Sequence, residues 1–169
     1  DYDNESYAYN AVKLLAGRGR KRIGLSGPPP QLLYARHTAR GFERAMRDYK
    51  LDVFPLSTLN LDAPADEIRR SGREIGLASD RPDGIVCTSP LSALGIVGGL
   101  EQAGLKLGKD IDVVTKQRVS FLGWYKPEIL TIREDFRTAG RDLAKSVLAW
   151  IDGADPATLQ HLVGPESAA

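Results

Sequence analysis

Residues 81–115 read RPDGIVCTSPLSALGIVGGLEQAGLKLGKDIDVVT, and the rhythm of this stretch decides the fold. Arg81-Pro82-Asp83-Gly84 is a turn signal. The run after it, GIVC, is apolar without alternation, which fits a strand covered on both faces. Ser89-Pro90 then supplies an N-cap followed by a proline at the first helical position, and it opens a helix over LSALGIVGGLEQAG. DIDVVT is the next strand. Strand, helix and strand in this order make a right-handed βαβ crossover between parallel strands.

The alternation continues outward in both directions. NESYAYNAVKLLAGRG carries Ala8, Ala11, Val12 and Leu15 at helical spacing, with Asn4 as the expected N-cap and Gly17 and Gly19 as the stop. RIGLS is a strand. Residues 38–50 form a helix with Phe42, Ala45, Met46 and Tyr49 on one stripe, and LDVFPLS (51–57) is a strand that Pro55 assigns to an edge. LDAPADEIRRSGREIGLAS is a helix with Asp62 as cap and Pro64 in its first turn. Beyond residue 115 the segment 116–128 reads as irregular, EILTI as a short strand, and 136–151 as a helix with Phe136, Leu143, Val147, Leu148 and Ile151 along one side. LQHLVGP reads as a closing strand. The fold class expected is therefore α/β: three layers, with a parallel sheet between helices.

Composition narrows the function. The chain has 169 residues, 42% of them hydrophobic, so a core is affordable and disorder is not expected. A net charge of +1 leaves no electrostatic footprint for nucleic acid. The basic run GRGRKR (17–22) reads as a solvated turn after the first helix. Cys87 is the only cysteine and lies in an apolar run, so a buried, inert thiol is expected. No apolar stretch approaches the ~18 residues of a membrane span. No metal set and no cofactor motif is present: GLSGPPP lacks both the Walker lysine and the dinucleotide glycine spacing, and no Gly-x-Ser-x-Gly elbow occurs.

In open α/β sheets ligands bind beyond the carboxyl ends of the strands. The groups that fall there are Tyr34, His37, Thr38, Ser89, Lys116, Gln117 and Glu134. Three prolines, 28–30, stiffen the approach to Tyr34. Hydroxyls, an amide, a cation, a carboxylate and an aromatic face suit a polyhydroxylated small molecule better than they suit catalysis, and an enzyme is not expected.

Four blocks also resemble a known family. DYDNESYAYNAVKLLAGRGRKRIGLSG, ARGFERAM, the 81–114 block and PEILTIREDFRTAGRDLAKSVL are similar, in order and spacing, to the LacI/GalR family of bacterial transcription regulators. The resemblance implies the periplasmic-binding-protein-like type I fold, two α/β lobes with a small effector, often a sugar, in the cleft. It implies that 1–117 and 157–165 form most of the C-terminal lobe and that 129–152 crosses to the N-terminal lobe. Carried over by position, the effector contacts are Tyr34, Thr38, Ser89, Gln117 and Glu134. The sequence departs from the family at Thr38, where an Arg is usual, at Gln117, where an acid is usual, and at Ser89-Pro90, where a Ser/Asn-Asp pair is usual. A homodimer is implied through Leu94 and the apolar segment holding Phe121, Leu122, Trp124 and Tyr125. DNA would be bound only through a separate helix-turn-helix domain absent from this chain, in a cytoplasmic protein. The competing expectation is a periplasmic sugar-binding protein of an ABC transporter, which shares the fold.

Overall fold

The computed structural model describes residues 1–56, 63–117 and 121–166. Helix α1 (Asn4–Gly17) is followed by β1 (Arg22–Ser26), α2 (Leu33–Asp48), β2 (Asp52–Phe54), α3 (Ala65–Leu77), β3 (Gly84–Cys87), α4 (Pro90–Gln102) and β4 (Asp112–Gln117). A short helix α5 (Phe121–Tyr125), strand β5 (Leu130–Arg133) and helix α6 (Phe136–Ile151) follow, and Pro156–Leu159 make one 3-10 turn. The five strands form one parallel sheet in the order β2-β1-β3-β4-β5. Chain order reverses between β1 and β3, which opens a crevice at their carboxyl ends.

The strands alternate as a doubly covered sheet requires. Val86 and Val114 point into one core with Tyr7, Val12 and Leu15 of α1 and Phe42 and Met46 of α2. Ile85, Cys87 and Val113 point into the other, with Ile68 of α3 and Ile96 and Leu100 of α4. Successive residues of a strand face opposite sides, so a continuous apolar run feeds both cores at once. The helix pairs approach closely because glycine sits at the crossings. A Cβ on Gly41 would overlap the Glu5 carbonyl of α1; one on Gly72 would overlap the Ile96 carbonyl, and one on Gly99 the Arg69 carbonyl.

Several details differ from the sequence expectation. Asp3, not Asn4, caps α1: its carboxylate accepts the Ser6 N–H at 2.8 Å, which leaves the Asn4 side chain free to turn elsewhere. Helix α2 starts at Leu33 rather than 38, because the prolines end before it and nothing in 33–37 opposes helix. Pro64 stands at the N-cap of α3 rather than in its first turn, and the expected cap Asp62 lies outside the described residues. The strand expected over 51–57 is confined to Asp52–Phe54, at the sheet edge, with residue 57 outside the described residues. The irregular 116–128 segment is partly regular: β4 extends to Gln117, and residues 121–125 form α5.

The segment LQHLVGP is not a strand of the sheet. It makes the single bridge Tyr2↔Val163, in which Asp3 N–H donates to Val163 O and Val163 N–H to Asp1 O, both 2.8 Å. The basic run is not merely solvated either. Arg20 and Arg18 donate from Nε to the fully buried Asp112 carboxylate at 2.7 and 2.9 Å, tying the end of α1 to the start of β4. Burial alone would raise the Asp112 carboxyl, but the two guanidinium hydrogen bonds and charges outweigh it and hold it below its usual value. The short strand expected over EILTI is present as β5, which adds to the sheet beside β4. Helix α6 then stands away from both cores with no buried residue; Leu143, Leu148 and Ile151 are 67%, 62% and 72% exposed.

Candidate functional site

The carboxyl ends of the strands, the first turn of α2 and the start of the chain enclose a cleft of about 480 Å³. Its walls are Asp1, Tyr2, Asn4, Leu33, Tyr34, Thr88, Ser89, Lys116 and Glu134. At its floor lies a buried polar cluster. The Lys116 ammonium is 2.7 Å from Glu134 Oε1 and donates to Asn4 Oδ1, also at 2.7 Å. It sits 4.8 Å from the centre of the Tyr7 ring, within cation–π reach.

The sequence folds this way for local reasons. Lys116 is the next-to-last residue of β4 and Glu134 follows β5 directly, and the two strands pair with Lys116 opposite Ile132. Asn4 comes to the same point because Asp3 has taken the capping role. One turn on, Tyr7 lies beneath the ammonium, its hydroxyl donating to Cys87 O at 2.5 Å. Burial first, then the neighbouring Cys87 and Glu134, push the Tyr7 phenol well above its usual value, so it is a neutral donor. The Cys87 thiol is likewise pushed up by burial, in accord with an inert core residue. The Thr88 hydroxyl donates to Ser26 O at 3.2 Å, joining β1 and β3 at the edge of the cleft.

Of the residues expected at the site, Tyr34, Ser89, Lys116 and Glu134 line the cleft. Thr38 does not: it is buried on α2, and its hydroxyl donates back to Tyr34 O at 2.8 Å. His37 is half-buried one residue earlier, and neither it nor Gln117 is among the lining residues. The Gln117 side chain instead accepts from the Thr131 hydroxyl at 3.1 Å, across the β4–β5 pair. Asn4, Thr88, Tyr2 and Leu33 are lining residues that the strand-end argument overlooked. Asn4 and Tyr7, one turn apart, carried the available signal, but it reads equally as cap and core. Among the described residues no group of three His, Cys, Asp or Glu side chains could hold a metal ion. No helix among them is long and apolar enough to cross a membrane.

The segment expected to pair two subunits divides in two. Leu122 is buried in the α3–α4 core, and Leu94 is partly buried against it. Phe121, Trp124 and Tyr125 are 51%, 84% and 67% exposed, and the Phe121 and Tyr125 rings stack at 5.3 Å. Leu122, buried below them, and the Lys126–Glu101 ion pair at 2.5 Å connect this segment to the rest of the domain.

The molecule is thus a doubly wound α/β domain with a polar cleft at its topological switch point. The chain belongs to the periplasmic binding protein-like domain family, whose profile matches residues 12–168. It is 31% identical over 157 residues to the HTH-type transcriptional regulator AglR of Rhizobium meliloti (strain 1021), covering 89% of this chain and 43% of that protein. It is 24% identical over 146 residues to the HTH-type transcriptional repressor PurR of Vibrio vulnificus (strain CMCP6), covering 86% of this chain and 44% of that protein. The chain thus spans less than half the length of these curated relatives. Among solved structures, a LacI-family regulatory protein from Chloroflexus aggregans superposes with a TM-score of 0.85 at 22% identity, over 98% of this chain and 59% of that one. A dimeric Lac repressor superposes with a TM-score of 0.80 at 21% identity, over 97% and 59%. These likenesses show that the fold is the periplasmic-binding-protein-like one, with the sheet described above.

Proposed function

We propose that the chain is the effector-sensing part of a LacI-type transcription regulator that binds a small polyhydroxylated molecule in the strand-end cleft. The observation that carries this reading is the Lys116–Glu134–Asn4 cluster. It is a buried, fully assembled set of polar groups facing a cleft rather than a core. Such groups are costly to bury, and a ligand that uses them accounts for their position. Tyr34 supplies the flat apolar face that stacks on the C–H side of a sugar ring.

The cluster also lies where motion can be read out. Glu134 is followed at once by Asp135, which caps α6 by accepting the Thr138 N–H at 3.0 Å. A ligand gripping Glu134 therefore acts on the joint between the sheet and α6. In this reading the exposed apolar side of α6 belongs to a second lobe, and the C-terminal lobe comprises residues up to 133 together with 157–165. Ligand binding favours one arrangement of the lobes by its differential affinity, and DNA affinity in a separate domain changes with it. No bond is made or broken. Two copies pair through Phe121, Trp124 and Tyr125, large aromatic side chains of the kind that anchor interfaces; one fold neighbour is itself described as dimeric. The curated relatives named above are regulators rather than transport proteins, which favours a cytoplasmic sensor over a transporter component.

The test is a thermal-shift screen of the full-length protein against monosaccharides, disaccharides and polyols. A ligand at 100 times its Kd stabilises the fold by about 2.7 kcal/mol, a Tm rise of several degrees. Tyr34→Ala should weaken the responding ligand tenfold or more. No response across the panel, or full affinity in the variant, would overturn the assignment.

A further inference from the structure

The charge arrangement of the cleft says which polyhydroxylated molecules it admits. Lys116 is the one cation among the lining side chains, and it is already engaged by Glu134 and Asn4 at 2.7 Å each. Two carboxylates, Glu134 and Asp1, are among the lining side chains, and the Glu134 one pairs with that ammonium. The Lys116 and Glu134 side chains are only 6% and 3% exposed, so water screens neither.

We infer that Glu134 is a specificity-determining residue that makes the cleft select neutral polyols and exclude their phosphorylated or acidic counterparts. The inference rests on the effector-binding reading above and narrows its ligand class. The physical reason is the match of donors and acceptors. A hydroxyl both accepts and donates, so one sugar hydroxyl can accept from the Lys116 ammonium while donating to the Glu134 carboxylate. A ligand carboxylate can only accept, and a phosphate is anionic at neutral pH. To reach Lys116 either must lie against Glu134 at like charge, or displace it and leave a buried carboxylate without its counter-ion. The ion pair therefore reads as a filter: each charge makes the other usable by a hydroxyl and unusable by an anion. Ser89 and Thr88, the hydroxyl-bearing lining residues, carry no charge to offset that of an anion.

The experiment measures binding of matched pairs by calorimetry and thermal shift on the full-length protein: glucose with glucose 6-phosphate, ribose with ribose 5-phosphate, galactose with galacturonate. A neutral member should bind at least ~100-fold tighter than its anionic partner, as repulsion at short range in a weakly screened site requires. Glu134→Gln should shrink that ratio by about tenfold or more, because Lys116 then faces the ligand with its charge uncompensated. Should that variant fold poorly, the Lys116→Gln/Glu134→Gln double variant serves. It removes both charges, and it should also discriminate less than the unsubstituted protein. Binding of an anionic member as tight as its neutral partner would overturn the filter while leaving the effector-binding reading intact. So would a ratio unmoved by both variants. Failure of every compound in all pairs would count against the effector reading itself and the filter with it.

Discussion

Lys116→Met removes one side of an ion pair that is almost wholly out of water. At exposed positions such a change costs at most about 1 kcal/mol, because solvent takes over the partner left behind. Here the Glu134 side chain is 3% exposed and stands between β5 and the capped start of α6. Its carboxylate would be left uncompensated, and breaking a pair of this kind costs about 3–5 kcal/mol. Asn4 Oδ1 also loses the donor from Lys116, which adds to the penalty rather than offsetting it. For a domain of this size that loss lowers Tm by roughly 10 °C. Urea unfolding of the full-length protein, followed by circular dichroism, gives the free energy. The double variant Lys116→Met/Glu134→Gln supplies the control: with the orphan charge gone, about 2 kcal/mol should return. A loss below about 1 kcal/mol in the single variant would refute the reasoning. So would a double variant as unstable as the sum of its parts, since either result would mean that water reaches Glu134.

Other outcomes follow from packing and charge. Gly99→Ala would push a methyl into the Arg69 carbonyl where α3 and α4 cross, and should cost about 3 kcal/mol in urea unfolding, whereas alanine at open Gly123 of α5 should have little effect. Asp112→Asn should destabilise by about 2–3 kcal/mol at pH 7, below the full cost of breaking a buried pair because Arg18 stays 42% exposed. The folded carboxyl lies below its ordinary value near 3.8, so the gap between the two proteins should hold from pH 7 to about 5 and close as pH falls through the folded value. Trp124→Ser, on a side chain 84% exposed, should leave stability unchanged and weaken self-association at least tenfold by analytical ultracentrifugation.

The layered α/β architecture was legible in the sequence because its signals are local. Turn, apolar run, cap and helix recur in order from residue 4 to 151, and each is recognisable within a dozen residues. The continuous GIVC run even marked the central strand, since a parallel strand is covered on both faces. The region of the site was legible by the same logic, and Tyr34, Ser89, Lys116 and Glu134 do meet at the strand ends.

What local pattern left open was the partner of each polar side chain. Asn4 and Lys116 are separated by 112 residues and come within 2.7 Å only because α1 packs across β3 and β4. Thr38 looked like a ligand contact beside Tyr34, yet on a helix that begins at Leu33 it turns inward and bonds to the carbonyl one turn back. Arg18 and Arg20 looked solvated until the start of β4 brought Asp112 beneath them. LQHLVGP has the composition of a strand, but strand pairing needs a neighbouring edge, and the segment forms a single bridge, Val163 to Tyr2, rather than a ladder. Sequence determined which segments become helix or strand, because hydrophobic spacing and end signals act over one or two turns. The tertiary structure decided which charges are buried together, because that depends on contacts between segments far apart in the chain.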